Sequence, residues 1–374
     1  MRICFVSAAL PDIACGVGDY TSHLATALAR QGVEPVVVTA ARPGLRTDLP
    51  FEVGTFMTSW RFGEMPSIAS AVLATRPDVV HIEFPGTGYG RGFGVTALPW
   101  AVLARRPSLA TAITFHEFDA LSRRFRCRLA AGALPCRLVV TPGGNLTAAV
   151  RRYLGWRPGL RVAEIPIASN LAPTNLAGSA PESPAATRHD SLRRRPGELI
   201  VGYWGFLRPD KGVETLIDAF AQIRETRPAR LVIAGDPGPD EEHARYISGR
   251  VAAAGIADDV LRTGPLDGVA LSEVIDAFDV CALPFRDGLA PNRGTYAGAV
   301  AHGVPVVTTR LAGPGEDAEA RTRFVRPNDP AALARAILES TDAPRAPRIA
   351  RNPSADWTEI ARRHIDAYRS VLPR

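Results

Sequence analysis

The chain has 374 residues, 46% hydrophobic and 22% charged, proportions of an ordinary globular protein that exclude wholesale disorder and a fibrous repeat. Lys and Arg number 44 against 38 Asp and Glu; this +6 excess lies mostly in dispersed arginines, with short clusters at Arg123 to Arg128 and Arg193 to Arg195. It is too diffuse to name nucleic acid as a partner, and it leaves small anionic ligands or peripheral contact with a membrane surface open. No window approaches the roughly 18 uninterrupted apolar residues of a membrane span, and no basic region precedes a signal-like apolar stretch at the amino terminus. The odd set Cys4, Cys15, Cys127, Cys136 and Cys281, without a CxxC pair, reads as free thiols in a reducing cytoplasm.

Arg2 to Ser7 is a short buried strand by pattern, followed by a loop with Gly16 and Gly18, an amphipathic run from Tyr20 to Gln31, and a second strand from Val33 to Thr39. Strand, glycine loop, helix and strand make a βαβ unit. Val79 to Glu83, Thr111 to Phe115 and Arg137 to Thr141 read as further parallel strands, alternating with helical segments at Ile68 to Thr75, Trp100 to Ala104 and Asn145 to Leu154. This first domain covers 1–170. Residues 171–198, rich in Ala, Pro, Ser and Arg, read as a linker or surface excursion. A second α/β series over 199–350 follows, with strands at Leu199 to Gly202, Ala229 to Ala234, Val260 to Thr263, Val280 to Pro284 and Val304 to Thr308. Its helices are Val213 to Ile223, Pro239 to Ala254, Leu271 to Ala277 and Tyr296 to Ala301, and 351–374 holds a terminal helix that packs back on the first domain. The fold expected is α/β, two facing Rossmann-like parallel-sheet domains with a ligand cleft at their carboxyl edges.

Four constellations carry chemistry. Ala14 to Tyr20 puts Gly16 and Gly18 between a strand and a helix, where backbone NH groups suit an anion or a sugar hydroxyl; a loop serving chain geometry alone would look the same. His116 and Glu117 end one strand, while His81 and Glu83 share another at period two and so turn to one side. Neither pair has a third metal ligand at fixed spacing, so no metal site is expected, and His116 is a substrate contact or a cap. Gly202 to Gly212 presents Arg208 and Lys211 on a loop that Gly205 and Gly212 fold, two cations suited to a diphosphate leaving group, with solvated surface charge as the alternative. Arg286 to Thr295 links a strand to a helix and offers Asp287, Asn292, Arg293, Gly294 and Thr295 to a polar ligand, or is an ordinary connection.

Together these segments resemble the retaining, nucleotide-sugar-dependent glycosyltransferases of family 4, with the GT-B architecture. The resemblance rests on Gly16-Val17-Gly18-Asp19-Tyr20-Thr21, Thr114-Phe115-His116-Glu117, Gly205 through Lys211-Gly212, Ala234-Gly235, Phe278-Asp279-Val280, Leu283-Pro284 and Ala301-His302-Gly303-Val304-Pro305-Val306-Val307. It implies that Gly16 and Gly18 face the diphosphate and acceptor, that His116 lies beside the transferred sugar, and that Lys211, assisted by Arg208, neutralises the leaving diphosphate, which backbone near Gly294 and Thr295 also approaches. Two places depart from the family pattern. Phe206 follows Gly205 where an arginine is usual, and Ala290 and Gly298 stand where two glutamates, spaced two helical turns apart, usually grip the sugar and the ribose. Asp287, Asn292 and Arg293 are then the nearest polar substitutes.

The resemblance implies transfer from a nucleoside diphosphate sugar to a small-molecule, glycan or lipid-linked acceptor, with retention, without metal and with no tightly bound cofactor. A non-catalytic sugar-nucleotide binder or structural partner of an active transferase, an epimerase or phosphorylase on the same frame, and a dinucleotide oxidoreductase are the rivals; the epimerase wants carboxylates and the oxidoreductase a ribose carboxylate that the sequence does not offer. Acceptor loops are expected at Pro50 to Glu64 and Pro85 to Phe93, where Trp60, Phe62, Tyr89 and Phe93 could stack on an acceptor or simply pack.

Overall fold

The computed structural model describes residues 1–13, 15–84, 89, 94–118, 121–169, 171, 192, 197–235, 240–266, 268–291, 293–317, 321–341 and 356–372. The chain forms two compact units, Met1–Asn170 with Asp356–Arg374, and Leu171–Ala355.

In the first unit, β1 (Arg2–Val6), β2 (Glu34–Ala40), β3 (Glu52–Met57), β4 (Val79–Phe84), β5 (Ala110–Phe115), β6 (Leu138–Thr141) and β7 (Arg161–Glu164) form one parallel sheet in the order β3-β2-β1-β4-β5-β6-β7. Helices α1 (Gly16–Ala29), α2 (Met65–Ala74), α3 (Gly94–Leu103), α4 (Arg123–Ala133) and α5 (Gly144–Leu154) make the crossovers. Every residue of β4 and β5 is buried, as helices on both faces of a parallel sheet require. Strand alternation separates two apolar clusters: Cys4, Val6, Val80 and Ile82 belong to one, and Ile3, Phe5, Val79 and Ala112 to the other. The second cluster includes Tyr20 of α1 and Ile360 and Tyr368 of the terminal helix α11 (Trp357–Arg369), which packs against α1.

The second unit repeats the plan. Strands β8 (Leu199–Trp204), β9 (Ala229–Ala234), β10 (Val260–Arg262), β11 (Val280–Leu283), β12 (Val306–Thr309), β13 (Gly315–Asp317) and β14 (Thr322–Val325) run in the order β10-β9-β8-β11-β12-β14-β13, with only β13 antiparallel. Helices α6 (Val213–Thr226), α7 (Glu241–Ala253), α8 (Gly268–Asp276), α9 (Gly294–Ala301) and α10 (Pro330–Ser340) complete it. Phe220 and Phe278 are fully buried in its core, and Gly202 is the place where β8 accepts the Phe278 ring: a Cβ there would lie 2.0 Å from it. In both sheets the chain order reverses beside the first strand, which puts the loops leaving β1 and β4, and those leaving β8 and β11, at the switch point of each carboxyl edge.

Several expectations need correcting. Gly16 and Gly18 do not sit in a loop, because α1 begins at Gly16 with Cys15 as its N-cap. Pro50 to Glu64 is not an open loop either: it contains β3, and Trp60 is 5% exposed, packed edge-on against Tyr89 with ring centroids 4.7 Å apart. Both rings belong to the apolar core, and Phe62 is exposed. Most of Pro85 to Phe93, Phe93 included, and most of the 171–198 segment lie outside the described residues. Strands β3, β7, β13 and β14 and helices α4 and α10 have no counterpart in the sequence reading. The edge strands β3, β7 and β13 are half-buried or exposed and lack the apolar run that marks a central strand.

Candidate functional site

At the second unit's carboxyl edge, the β8 and β11 loops converge on one cluster of charge. Gly212 makes the approach: its φ is +65°, and a Cβ would stand 2.1 Å from the carbonyl oxygen of Pro284 at the end of β11. The backbone NH of Arg286 then donates to the carbonyl of Asp210 at 3.0 Å, tying the two loops together. Asp210 is the hub. Nη1 of Arg293 donates to its carboxylate at 2.8 Å, Nε of Arg208 lies 3.1 Å away and Nζ of Lys211 3.9 Å. Burial works to raise the Asp210 carboxyl, yet Lys211, Arg293 and Arg208 together hold it below the ordinary carboxylate range.

Arg293 is held at both ends, because its Nη2 lies 2.6 Å from each oxygen of Asp287 while its guanidinium sits 4.6 Å above the ring of Phe285. Lys211 shares that ring at 5.2 Å. Its ammonium is drawn down to about 8, mainly by burial and next by the neighbouring Arg293, against the opposing pull of Asp210. Arg286 pairs with Glu214 at the start of α6, Nε to Oε1 at 2.6 Å. Arg208, Lys211, Arg286 and Arg293 thus share the carboxylates of Asp210, Glu214 and Asp287, an arrangement of fixed donors with one cation in excess. Beside it, Nε of Arg293, Oγ1 of Thr295 and Nε1 of Trp204 are buried without a hydrogen-bond partner among the described residues. Buried donors of this kind are the natural complement of a polar ligand.

Of the expected residues, Arg208, Lys211, Asp287 and Arg293 come together; Gly205, with φ +121°, packs beside the Thr295 methyl, and Gly294 opens α9. Asn292 lies outside the described residues. Asp287 is committed to Arg293 by two short contacts, so it organises the cation before it serves any sugar hydroxyl. Neither Ala290 nor buried Gly298 carries a carboxylate. His302 is structural: its Nε2 meets Ser272 at 2.8 Å and its Nδ1 the Gly298 carbonyl at 2.7 Å, pinning the end of α9 to α8.

In the first unit, Gly18 lets the start of α1 press on the chain after β1, since a Cβ would lie 3.0 Å from the Leu10 carbonyl oxygen, whereas Gly16 faces open space. The end of β5 places His116 with Nε2 2.8 Å from Oε2 of Glu83, and its ring meets the edge of Tyr20 at 4.7 Å. His81 is bonded to Tyr368 through Nδ1 at 2.5 Å and to Thr114 through Nε2 at 2.7 Å. His364 completes the network, accepting from the Tyr20 hydroxyl at 3.2 Å while Nδ1 donates to the Ile360 carbonyl at 2.9 Å. Glu117 is exposed and stands apart from it.

Matches to known proteins follow the same division. The family profile described as Glycosyltransferase Family 4 matches residues 14–166, and that described as Glycosyl transferases group 1 matches residues 198–342. The chain belongs to glycosyltransferase family 4. It is similar to the glycogen synthase of Mycobacterium tuberculosis, 25% identical over 98% of this chain and 94% of that one. Similarity to the D-inositol 3-phosphate glycosyltransferase of Stackebrandtia nassauensis is 30%, over 49% of this chain and about 45% of that protein's length. The fold matches the structure of Anabaena Alr3699/HepE in complex with UDP and glucose, with a TM-score of 0.72, 17% identity and coverage of 99% and 100% of the two chains. This glycosyltransferase therefore has the two Rossmann-like sheets of the GT-B architecture. Among its described residues no group of three or more His, Cys, Asp or Glu is placed to hold a metal ion, and no helix is long and apolar enough to cross a membrane. The sequence reading missed Glu83 as the partner of His116 and Phe285 as the platform under the cations; a carboxylate in Val79 to Phe84, a run otherwise apolar but for His81, was the available signal for the first.

Proposed function

We propose that the protein transfers a hexosyl group from a nucleoside diphosphate sugar to a hydroxyl or other nucleophile, with retention at the anomeric carbon and without metal. The observation that carries this reading is the pair Lys211 and Arg293 over Phe285, held by Asp210 at the switch point of the second sheet. The bond from the anomeric carbon to the phosphate oxygen breaks, and the bond to the acceptor oxygen forms on the same face. The acceptor proton passes to the departing phosphate oxygen, and the negative charge left on the diphosphate is met by Lys211, Arg208 and Arg293, the electrostatic role a metal would otherwise fill. Backbone near Gly294 and Thr295 adds donors, Gly16 and Gly18 serve the acceptor side, and His116 contacts the transferred sugar.

Calorimetric titration of UDP-, GDP-, ADP- and dTDP-sugars and the free diphosphates, on the wild type and Lys211→Ala, tests the reading. One preferred nucleotide whose affinity collapses in the variant is the expected result; no binding by any of them overturns it. The carboxylate-free positions Ala290 and Gly298 favour one second reading, a sugar-nucleotide binder without catalysis. Binding without release of nucleoside diphosphate in the presence of an acceptor panel would select it. Peripheral membrane contact and a lipid-linked acceptor belong with the first reading, and flotation with anionic vesicles checks them.

A further inference from the structure

Strand parity puts His81 and Glu83 on the same face of the first sheet as Ile3, Phe5 and Val79, and register sets them beside Ala112 and Thr114 of β5, with His116 two residues beyond Thr114. That face is covered by α1 and α11, so the groups facing Glu83 are Tyr20 from α1, His81 from β4, Thr114 and His116 from β5, and His364 and Tyr368 from α11, with Tyr89 nearby. Among the described residues of this pocket, Glu83 is the one carboxylate, and it is fully buried.

Taking a carboxylate out of water costs several kcal/mol unless partners compensate. His81 cannot supply them: burial, with His364 and His116 nearby, holds it well below the ordinary imidazole range, and its Nε2 is committed to Thr114 and stands 3.7 Å from Oε1 of Glu83. Burial likewise draws His364 down to about 4, and it raises Tyr20, Tyr89 and Tyr368, with the charge of Glu83 pushing the same way. Oε1 makes no hydrogen bond among the described residues, which leaves the 2.8 Å contact from Oε2 to Nε2 of His116 as the interaction that holds the charge.

We infer that Glu83 is the positioning residue of His116: its carboxylate accepts the Nε2 hydrogen, fixing the tautomer and ring orientation that His116 brings to the sugar, and its charge makes the neutral ring more basic. A purely structural filler of this pocket would need shape and one hydrogen bond, which a neutral amide provides equally well. The inference rests on the proposed transferase reading for its catalytic half and on geometry alone for its structural half.

The experiment therefore has two arms. Long-range nitrogen–proton spectra of histidine-labelled protein at alkaline pH, where exposed imidazoles are neutral, report the tautomer of each of the seven histidines, with His116→Asn giving the assignment. The wild type is expected to show His116 protonated at Nε2. Glu83→Gln, whose amide oxygen still accepts, keeps that signature, and Glu83→Leu loses it. A wild-type His116 protonated at Nδ1 overturns the inference, even should Glu83→Leu fail to fold. In the second arm, release of nucleoside diphosphate from UDP-, GDP-, ADP- or dTDP-glucose is measured. Glu83→Gln should be slower by about 10-fold and Glu83→Leu by about 100-fold, the range typical of an orienting partner, while donor affinity stays within about 2-fold of wild type. Equal turnover in wild type and Glu83→Gln overturns the role given to the carboxylate's charge. Failure of every protein to bind nucleotide instead overturns the transferase reading, and the tautomer spectra still judge Glu83.

Discussion

The two units share a strand order and yet prepare their carboxyl edges in opposite ways. The first unit surrounds one buried carboxylate with neutral rings: His81, His364, Tyr20 and Tyr368 are all buried and hydrogen-bonded. The second gathers cations and anions in a half-buried cluster where Lys211 and Arg293 lie over Phe285 and Arg208 stays half-exposed. Neutral, dry groups fix geometry, because each hydrogen bond is directional and an unmade one costs its full desolvation. Opposed charges fix potential, and they remain sensitive to salt, pH and arriving anions. One edge is built for orientation and the other for charge.

The largest effect expected from breaking this contrast is at Gly212, where any Cβ clashes with the Pro284 carbonyl in a backbone that already has positive φ. Gly212→Ala should destabilise the second unit by about 3 kcal/mol or more and abolish nucleotide binding, read by urea unfolding and calorimetry. Acid should separate the units next. His364 is held near 4 against an ordinary value of 6.5, so its folded form binds fewer protons than the unfolded chain, and the stability it contributes is present above about 6.5 and lost as the pH falls to 4. That loss is about 3 kcal/mol for this residue, and His364→Phe should flatten the acid limb of a stability profile followed by tryptophan fluorescence.

Arg293→Ala frees Asp210 and Asp287 together and should weaken diphosphate binding by about 10- to 100-fold, with Arg293→Lys rescuing little because a lysine cannot span both carboxylates. The pH dependence of that binding is a finer test. Lys211 is charged below about 8, so affinity should decline as the pH rises through that value, by at most about tenfold per unit, and Lys211→Arg should remove the decline. The smallest effect is at Tyr368→Phe, which strips the hydroxyl from Nδ1 of His81 and should cost about 1 kcal/mol in thermal unfolding, with no change on raising salt from about 0.1 M to about 1 M. Diphosphate binding by the second unit should fall over the same salt range, and a salt-independent affinity would erase the contrast.

The central strands were legible because they carry continuous apolar runs bounded by turns, and the segments holding His116 and Lys211 were legible because they follow those strands. Strands such as β3 and β7 were not: at a sheet edge, half the side chains face water and the apolar signal is diluted. Trp60 and Tyr89 were open to either reading, since a Trp or Tyr beside glycines looks the same whether it meets a ligand or another ring. The lysine and arginines of the second unit could be named in sequence, but their carboxylate partners could not. Asp210 and Arg293 are 83 positions apart, and their meeting depends on two loops crossing at Gly212.

Local periodicity and residue type alone settled the order of the central strands, the strand parity that sends His81 and Glu83 to one face, and the cations available to an anion. Tertiary structure decided which charges are paired and which groups are neutral. Burial at the end of β8 lowers Lys211, and α11, joined to β4 across 287 positions through His81 and Tyr368, closes the pocket around Glu83. Desolvation and hydrogen-bond partnership belong to the packed chain, and no span of neighbouring residues contains them.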